Sequence, residues 1–150
     1  MEKTLRGING VYYTIYMLTI LSAIIVFMLN YLNTSGTYID EKSPQGVALS
    51  STLIIYMLIS VPLTFWYFFK YSKKIQQITD RYEKFRIYKK ASIIRLWIIG
   101  IGLIAGVLLI YFMHSFNMIY LAGIEAVALF FCKPTANKMI KDLDLADEDI

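Results

Sequence analysis

The chain has 150 residues, of which 57% are hydrophobic and 17% charged, with a formal net charge of +4 and a mean hydropathy of +0.54. Soluble domains sit near about 45–50% apolar and about 25% charged, so a disordered chain is excluded and a soluble globular domain is disfavoured. A single cysteine allows no intrachain disulfide, and with one histidine it leaves too few ligands for a histidine/cysteine zinc site.

Four apolar runs follow in chain order. Residues 11–32 carry no charge, and no small-residue cleavage motif follows them, so they read as a retained membrane helix rather than a secretory signal. Residues 33–45 are polar, with Gly36 and Pro44, and read as an irregular exposed loop. Within them Asn33-Thr34-Ser35 fits the glycosylation acceptor pattern, which is common by chance. Residues 46–69 are again uncharged. Residues 93–113 are interrupted only by Arg95, and residues 116–132 only by Glu125. About 20 apolar residues cross ~30 Å of hydrocarbon, so the first three runs qualify by length. The fourth is shorter, and the polar turn at His114 and Ser115 pairs it with the third as a helical hairpin.

Lysine and arginine sort by side. Lys3 and Arg6 precede the first run, eight basic residues lie in 70–90, and Lys133, Lys138 and Lys141 follow the fourth run. The loop after the first run has only Lys42, and the turn after the third has none. With four spans every basic region falls on one side, the cytoplasmic side by the positive-inside rule. The expected fold is therefore all-α: four transmembrane helices in one bundle, both termini cytoplasmic, in a cytoplasmic (inner) membrane, with a basic loop at 70–90 and a tail at 133–150. Trp66, Tyr67, Tyr71 and Trp97 at the inner border, and Tyr31 and Tyr38 at the outer, fit interfacial aromatic belts. This sorting accounts for the positive charge, so the expected partners are the lipid bilayer and a membrane protein or second copy, not nucleic acid.

In 70–90 the apolar residues Ile75, Ile78, Tyr82 and Phe85 recur at spacings of three and four, a helical stripe. It predicts that the second helix continues past the membrane and offers a docking face. In the tail, Pro134 opens a short predicted helix with Met139, Ile140 and Leu143 on one side. Residues 142–150 hold five acids and no base, a solvated end.

Glu125 is the strongest candidate for chemistry. A carboxylate inside a span is costly and usually faces protein or a water-filled cavity, and the positions one turn away, Leu121, Ala122, Ala128 and Leu129, offer no polar side chain. Counting depth from the hairpin turn puts Glu125 level with about Gly106. That places it too far from Arg95 for an ion pair and at the depth of Thr19, Ser22, Ser60 and Thr64, the hydroxyls expected to serve it. Pro62, between Ser60 and Thr64, frees a backbone carbonyl. Gly102 and Gly106 form a G-x-x-x-G pair and Ala122 and Ala126 a matching small face, which predicts a close-packed seam. His114 is placed at the outer turn and Cys132 as a buried small hydrophobe. No acid–base dyad or Ser/His/Asp set falls together, so no enzyme, metal or cofactor is expected. The expected function is a small membrane accessory or scaffold subunit; the alternative is a minimal homo-oligomeric transporter using Glu125 as a proton- or cation-binding carboxyl.

Overall fold

Helix begins well before the first apolar run does. The computed structural model describes residues 2–32 and 39–145, and its first helix, α1, runs Glu2–Tyr31. Its 30 residues are about 45 Å long at 1.5 Å per residue, so the basic N-terminal turns extend the helix beyond a hydrocarbon core of about 30 Å. Its buried residues, Ile8, Tyr12, Ile15, Ser22 and Val26, form one narrow stripe. Such a stripe serves a single neighbour. The glycosylation pattern at 33–35, Gly36 and Tyr38 lie outside the described residues.

The second helix, α2, is Pro44–Gln76. Ser43 caps it, its Oγ accepting from the Gly46 amide at 3.0 Å, and Pro44 occupies the first turn, where its missing N–H costs nothing. The helix carries Pro62 inside it without ending. The third, α3, is Arg81–Met113, capped by Asp80, whose carboxylate accepts from the Tyr82 amide. It stops at His114, which takes a left-handed conformation (φ 48°) and donates its amide to the Ile110 carbonyl. Ser115 then caps α4, Phe116–Phe131. Thr135 caps α5, Ala136–Leu143, so the short tail helix expected after Pro134 forms.

Two expectations about 70–90 are corrected. The segment is not a loop: α2 persists to Gln76 and α3 starts at Arg81, so only residues 77–80 turn. Nor is the stripe continuous. Asp80 offers the first turn of α3 a side-chain cap, which ends one helix and starts another inside the spacing of three and four. Ile75 therefore belongs to α2, Ile78 to the turn, and Tyr82 and Phe85 to α3.

α3 is the hub. It packs along α1, α2 and α4, while α5 folds back on α2. The main core runs from Ile8 and Ile75 through Leu96 and Ile99 to Leu129, and a smaller core of Leu53, Met57, Met113 and Met118 fills the opposite end. At that opposite end the loop before α2 is clipped to the hairpin. The Ile39 amide donates to the Phe112 carbonyl at 2.9 Å, and Asn117 Nδ2 donates to Glu41 Oε1 at 2.7 Å. At the basic end α5 is held by Gln76 Nε2 donating to the Asp142 carbonyl at 3.0 Å and by Tyr88 Oη donating to Asp142 Oδ2 at 2.9 Å. Met139 and Leu143 are fully buried beneath it.

The described residues are thus all-α, with several helices suited to a membrane. α1, α2 and α3 are each long and apolar enough to cross a membrane, and α4 and α5, bent 72° apart, add a fourth candidate when taken together. Many large apolar side chains on the outer faces of α1, α2 and α4 are exposed, as lipid-facing surfaces are.

Candidate functional site

The seam between α3 and α4 is built from small residues. A Cβ placed on Gly106 would stand 3.3 Å from the Ala122 Cβ and 3.4 Å from its Cα. The two backbones are therefore as close as glycine against alanine allows. Ala126 packs half-buried against the main core beside it. The seam is internal to the chain.

Glu125 sits one turn further along this seam and is fully buried. Its carboxyl fills the space that a side chain at Gly102 would need: a Cβ there would lie 2.6 Å from Glu125 Oε1. The same Cβ would lie 2.8 Å from Cε1 of Tyr56, which reaches in from α2. Tyr56 is anchored by its Oη, which donates to the Ile98 carbonyl of α3 at 2.6 Å. Three helices therefore meet at one carboxyl, with Gly102 as floor and Tyr56 as wall. Glu125 is level with Gly102, not Gly106, one turn deeper than hairpin counting gives, because Ala122 is the residue that seats on Gly106.

Neither Glu125 oxygen has a hydrogen-bond partner among the described residues. The four hydroxyls expected to serve it do not. Thr19 Oγ1 donates to the Ile15 carbonyl at 2.9 Å and Ser22 Oγ to the Thr19 carbonyl at 2.8 Å, both within α1. Depth was the wrong coordinate for that pair. α1 docks where Ile15 fills the hollow over Gly100, and Gly100 and Gly102 are about 200° apart around α3 at 3.6 residues per turn. Thr19 and Ser22 thus lie across α3 from the carboxyl. Ser60, one turn along α2 from Tyr56, is buried and its Oγ is also without a partner. Thr64 is buried a further turn along, where it lines a groove between α2 and α3.

An ionised carboxylate at the centre of a membrane costs roughly 2.5–3.5 kcal/mol or more. Arg95 does not offset it. Seven residues separate Arg95 from Gly102, about 10 Å at helical rise, and its guanidinium carbon lies 3.7 Å from the centre of the Phe68 ring. The separation is smaller than hairpin counting predicts, and the absence of a pair between them stands. The arrangement amounts to an enclosed acid in a close-packed, three-helix junction.

The stripe expected to dock a partner is largely core. Ile75 is 1% and Phe85 9% exposed, in the same cluster as Met139 and Leu143 of α5; Ile78 is half-buried, and only Tyr82 projects. Its periodicity reported packing against a helix from the same chain. Tyr56 and Phe68 are the site residues that sequence reasoning passed over. A tyrosine amid an uncharged span was the available signal for Tyr56, since a phenol away from the interface needs a local acceptor. Cys132 is fully buried, as expected. Among the described residues no cluster of three or more His, Cys, Asp or Glu side chains is placed to hold a metal ion. No known protein family, curated protein or solved structure matches this chain.

Proposed function

We propose that the chain is a four-span protein of the cytoplasmic (inner) membrane with both termini and the 77–80 turn in the cytoplasm. In this reading it is a non-enzymatic accessory or scaffold subunit that holds a membrane partner, or a second copy, against its outward helix faces. The charge distribution supports the orientation, since four crossings put every basic region except Lys42 on one side. α4, at 16 residues, is about 24 Å long, short of about 30 Å, and α5 is then its amphipathic foot at the inner interface.

The enclosure of Glu125 carries the accessory reading. The carboxyl is fully buried, the Gly106–Ala122 contact seals the seam on one side of it, and the Tyr56 ring lines another. A group that takes substrate from water needs a path to it. A sealed acid is instead a packing element, and the outward faces are what remains for function. α1 offers one of these. It rests on α3 as its main neighbour and presents Tyr13, Met17, Leu21, Ile24 and Met28 outward. A photo-crosslinking side chain placed at Met17 or Leu21 should give a discrete adduct with another polypeptide in intact membranes. Adducts with lipid alone, in a protein shown to be folded, would overturn this reading.

One observation favours a second reading. Neither oxygen of the buried Glu125 carboxyl has a partner among the described residues, and a proton or small cation would satisfy them. That reading is a homo-oligomeric transporter whose seam opens at Gly106 and Ala122 during its cycle. Glu125→Gln then abolishes proton-coupled flux in liposomes while the protein stays folded; retention of full flux would eliminate it.

A further inference from the structure

Between α2 and α3, toward the basic end, lies a groove of about 500 Å³, within the range of about 300–1,000 Å³ common for small-molecule sites. Its upper walls are Leu63, Ile94 and Ile98; its lower mouth carries Tyr71, Lys90 and Arg95. Leu63 and Ile94 are half-exposed on the outside of the bundle, so the groove opens sideways, onto the surface that faces lipid.

Its charge is unbalanced. No acidic side chain lines it, while two cations do. Asp142, the carboxylate that α5 brings to this end, accepts from Tyr88 Oη and does not line the groove. The Arg95 guanidinium is stacked on Phe68, and its Nε is buried without a hydrogen-bond partner. Stacking takes the flat face of a guanidinium and leaves its edge, which matches the oxygens of a phosphate. An apolar slot roughly parallel to the helices, ending in two cations at the interface, fits an amphiphile with a negative head.

We infer that the α2–α3 groove is a binding site for one anionic phospholipid, with an acyl chain against Leu63, Ile94 and Ile98 and the phosphate on Arg95 and Lys90. A free phosphate fits less well, because the walls above the cations are apolar and open to lipid rather than to water. Basic pockets between helices at an inner membrane face recognise anionic headgroups on the same physical grounds. The inference rests on the membrane reading of the chain and is independent of its accessory role.

The test uses the full chain, delipidated in mild detergent and offered dioleoyl phosphatidylglycerol, dioleoyl phosphatidylcholine or inorganic phosphate. Retained lipid is counted by native mass spectrometry, and the thermal midpoint is followed in parallel. One phosphatidylglycerol per chain should be retained, about tenfold in preference to phosphatidylcholine. Both carry the phosphate, but the choline cation cancels its charge and would lie against Lys90 and Arg95, where each basic residue near the surface favours a net anionic lipid by about 1 kcal/mol. Arg95→Gln should remove the preference. Ile94→Trp, which fills the groove from its half-exposed side and keeps both cations, should remove retention itself, and so keeps the inference testable if Arg95→Gln fails to fold. Lys74→Gln, outside the groove, should change neither. Equal retention of the two lipids by the unaltered chain would overturn the inference. So would wild-type retention in Ile94→Trp, or a full thermal shift from inorganic phosphate alone.

Discussion

Gly102→Ala adds one methyl group at the junction of α2, α3 and α4, and the structure sets what it meets. The new carbon would stand 2.6 Å from Glu125 Oε1, 3.0 Å from the Glu125 carboxyl carbon and 2.8 Å from Tyr56 Cε1. Glutamate can rotate away at some cost. Tyr56 cannot easily do so, because its Oη is held by the Ile98 carbonyl at 2.6 Å. Overpacking a filled site costs about 1–3 kcal/mol, and alanine returns about 1 kcal/mol of helix propensity, so a net loss of up to about 2 kcal/mol is expected, and a deficit of about 1–3 kcal/mol against an alanine placed where nothing crowds it. Gly123 is the internal control: it lies on the same hairpin with nothing within 4 Å of an added Cβ, so Gly123→Ala should gain up to about 1 kcal/mol. The assay is the midpoint of unfolding as SDS is titrated into mild-detergent micelles. Combining Gly102→Ala with Glu125→Ala should recover part of the loss, the Tyr56 share remaining. If Gly102→Ala were as stable as Gly123→Ala, Glu125 would not occupy the space over Gly102 and the three-helix junction would be wrong.

Glu125→Met keeps the length of the side chain and removes two unpartnered buried oxygens, so it should stabilise the fold by about 1–3 kcal/mol in the same titration; a loss would mean that the carboxyl makes a hydrogen bond. Tyr56→Phe should cost about 0.5–1.5 kcal/mol, because the bond from its Oη to Ile98 is lost, and no change would mean that the phenol is not anchored there. Leu143→Ala should cost about 2–5 kcal/mol if α5 is as closely packed as its zero exposure indicates. Limited proteolysis should then cut near residues 133–145, whereas Tyr82→Ala, at an exposed position, should leave the digest unchanged. In a Cys132→Ser background, an impermeant maleimide should label Lys42→Cys in intact cells and Tyr82→Cys only after lysis; the reverse pattern would invert the proposed orientation.

Much of this architecture was legible in the sequence because lipid imposes a simple rule: long uncharged runs, with polar residues only where something accepts them. The runs located the helices, and Gly102, Gly106 and Ala122 announced the seam that the structure closes. Glu125 was read as inward-facing because its own helix offered it nothing. What the sequence hid was angular and tertiary. Depth counting put Thr19 and Ser22 near the carboxyl, but depth says nothing about which side of α3 a helix occupies, and Ile15 over Gly100 puts α1 on the far side. The stripe through Ile75 and Phe85 was real, yet periodicity cannot distinguish a face that waits for a partner from one already covered by α5. Asp80 was the missed punctuation, a capping residue amid basic neighbours that splits one apparent helix into two.

In the proposed role, this chain works by holding another membrane component. The most direct test is the mass of the particle obtained when a tagged copy is transferred gently from its native membrane into nanodiscs, with every accompanying polypeptide identified. A reproducible, stoichiometric second component should appear, either a distinct membrane protein or another copy, and should be lost when Met17 and Leu21 on the open face of α1 are replaced. A folded particle containing one chain and lipid alone would contradict it.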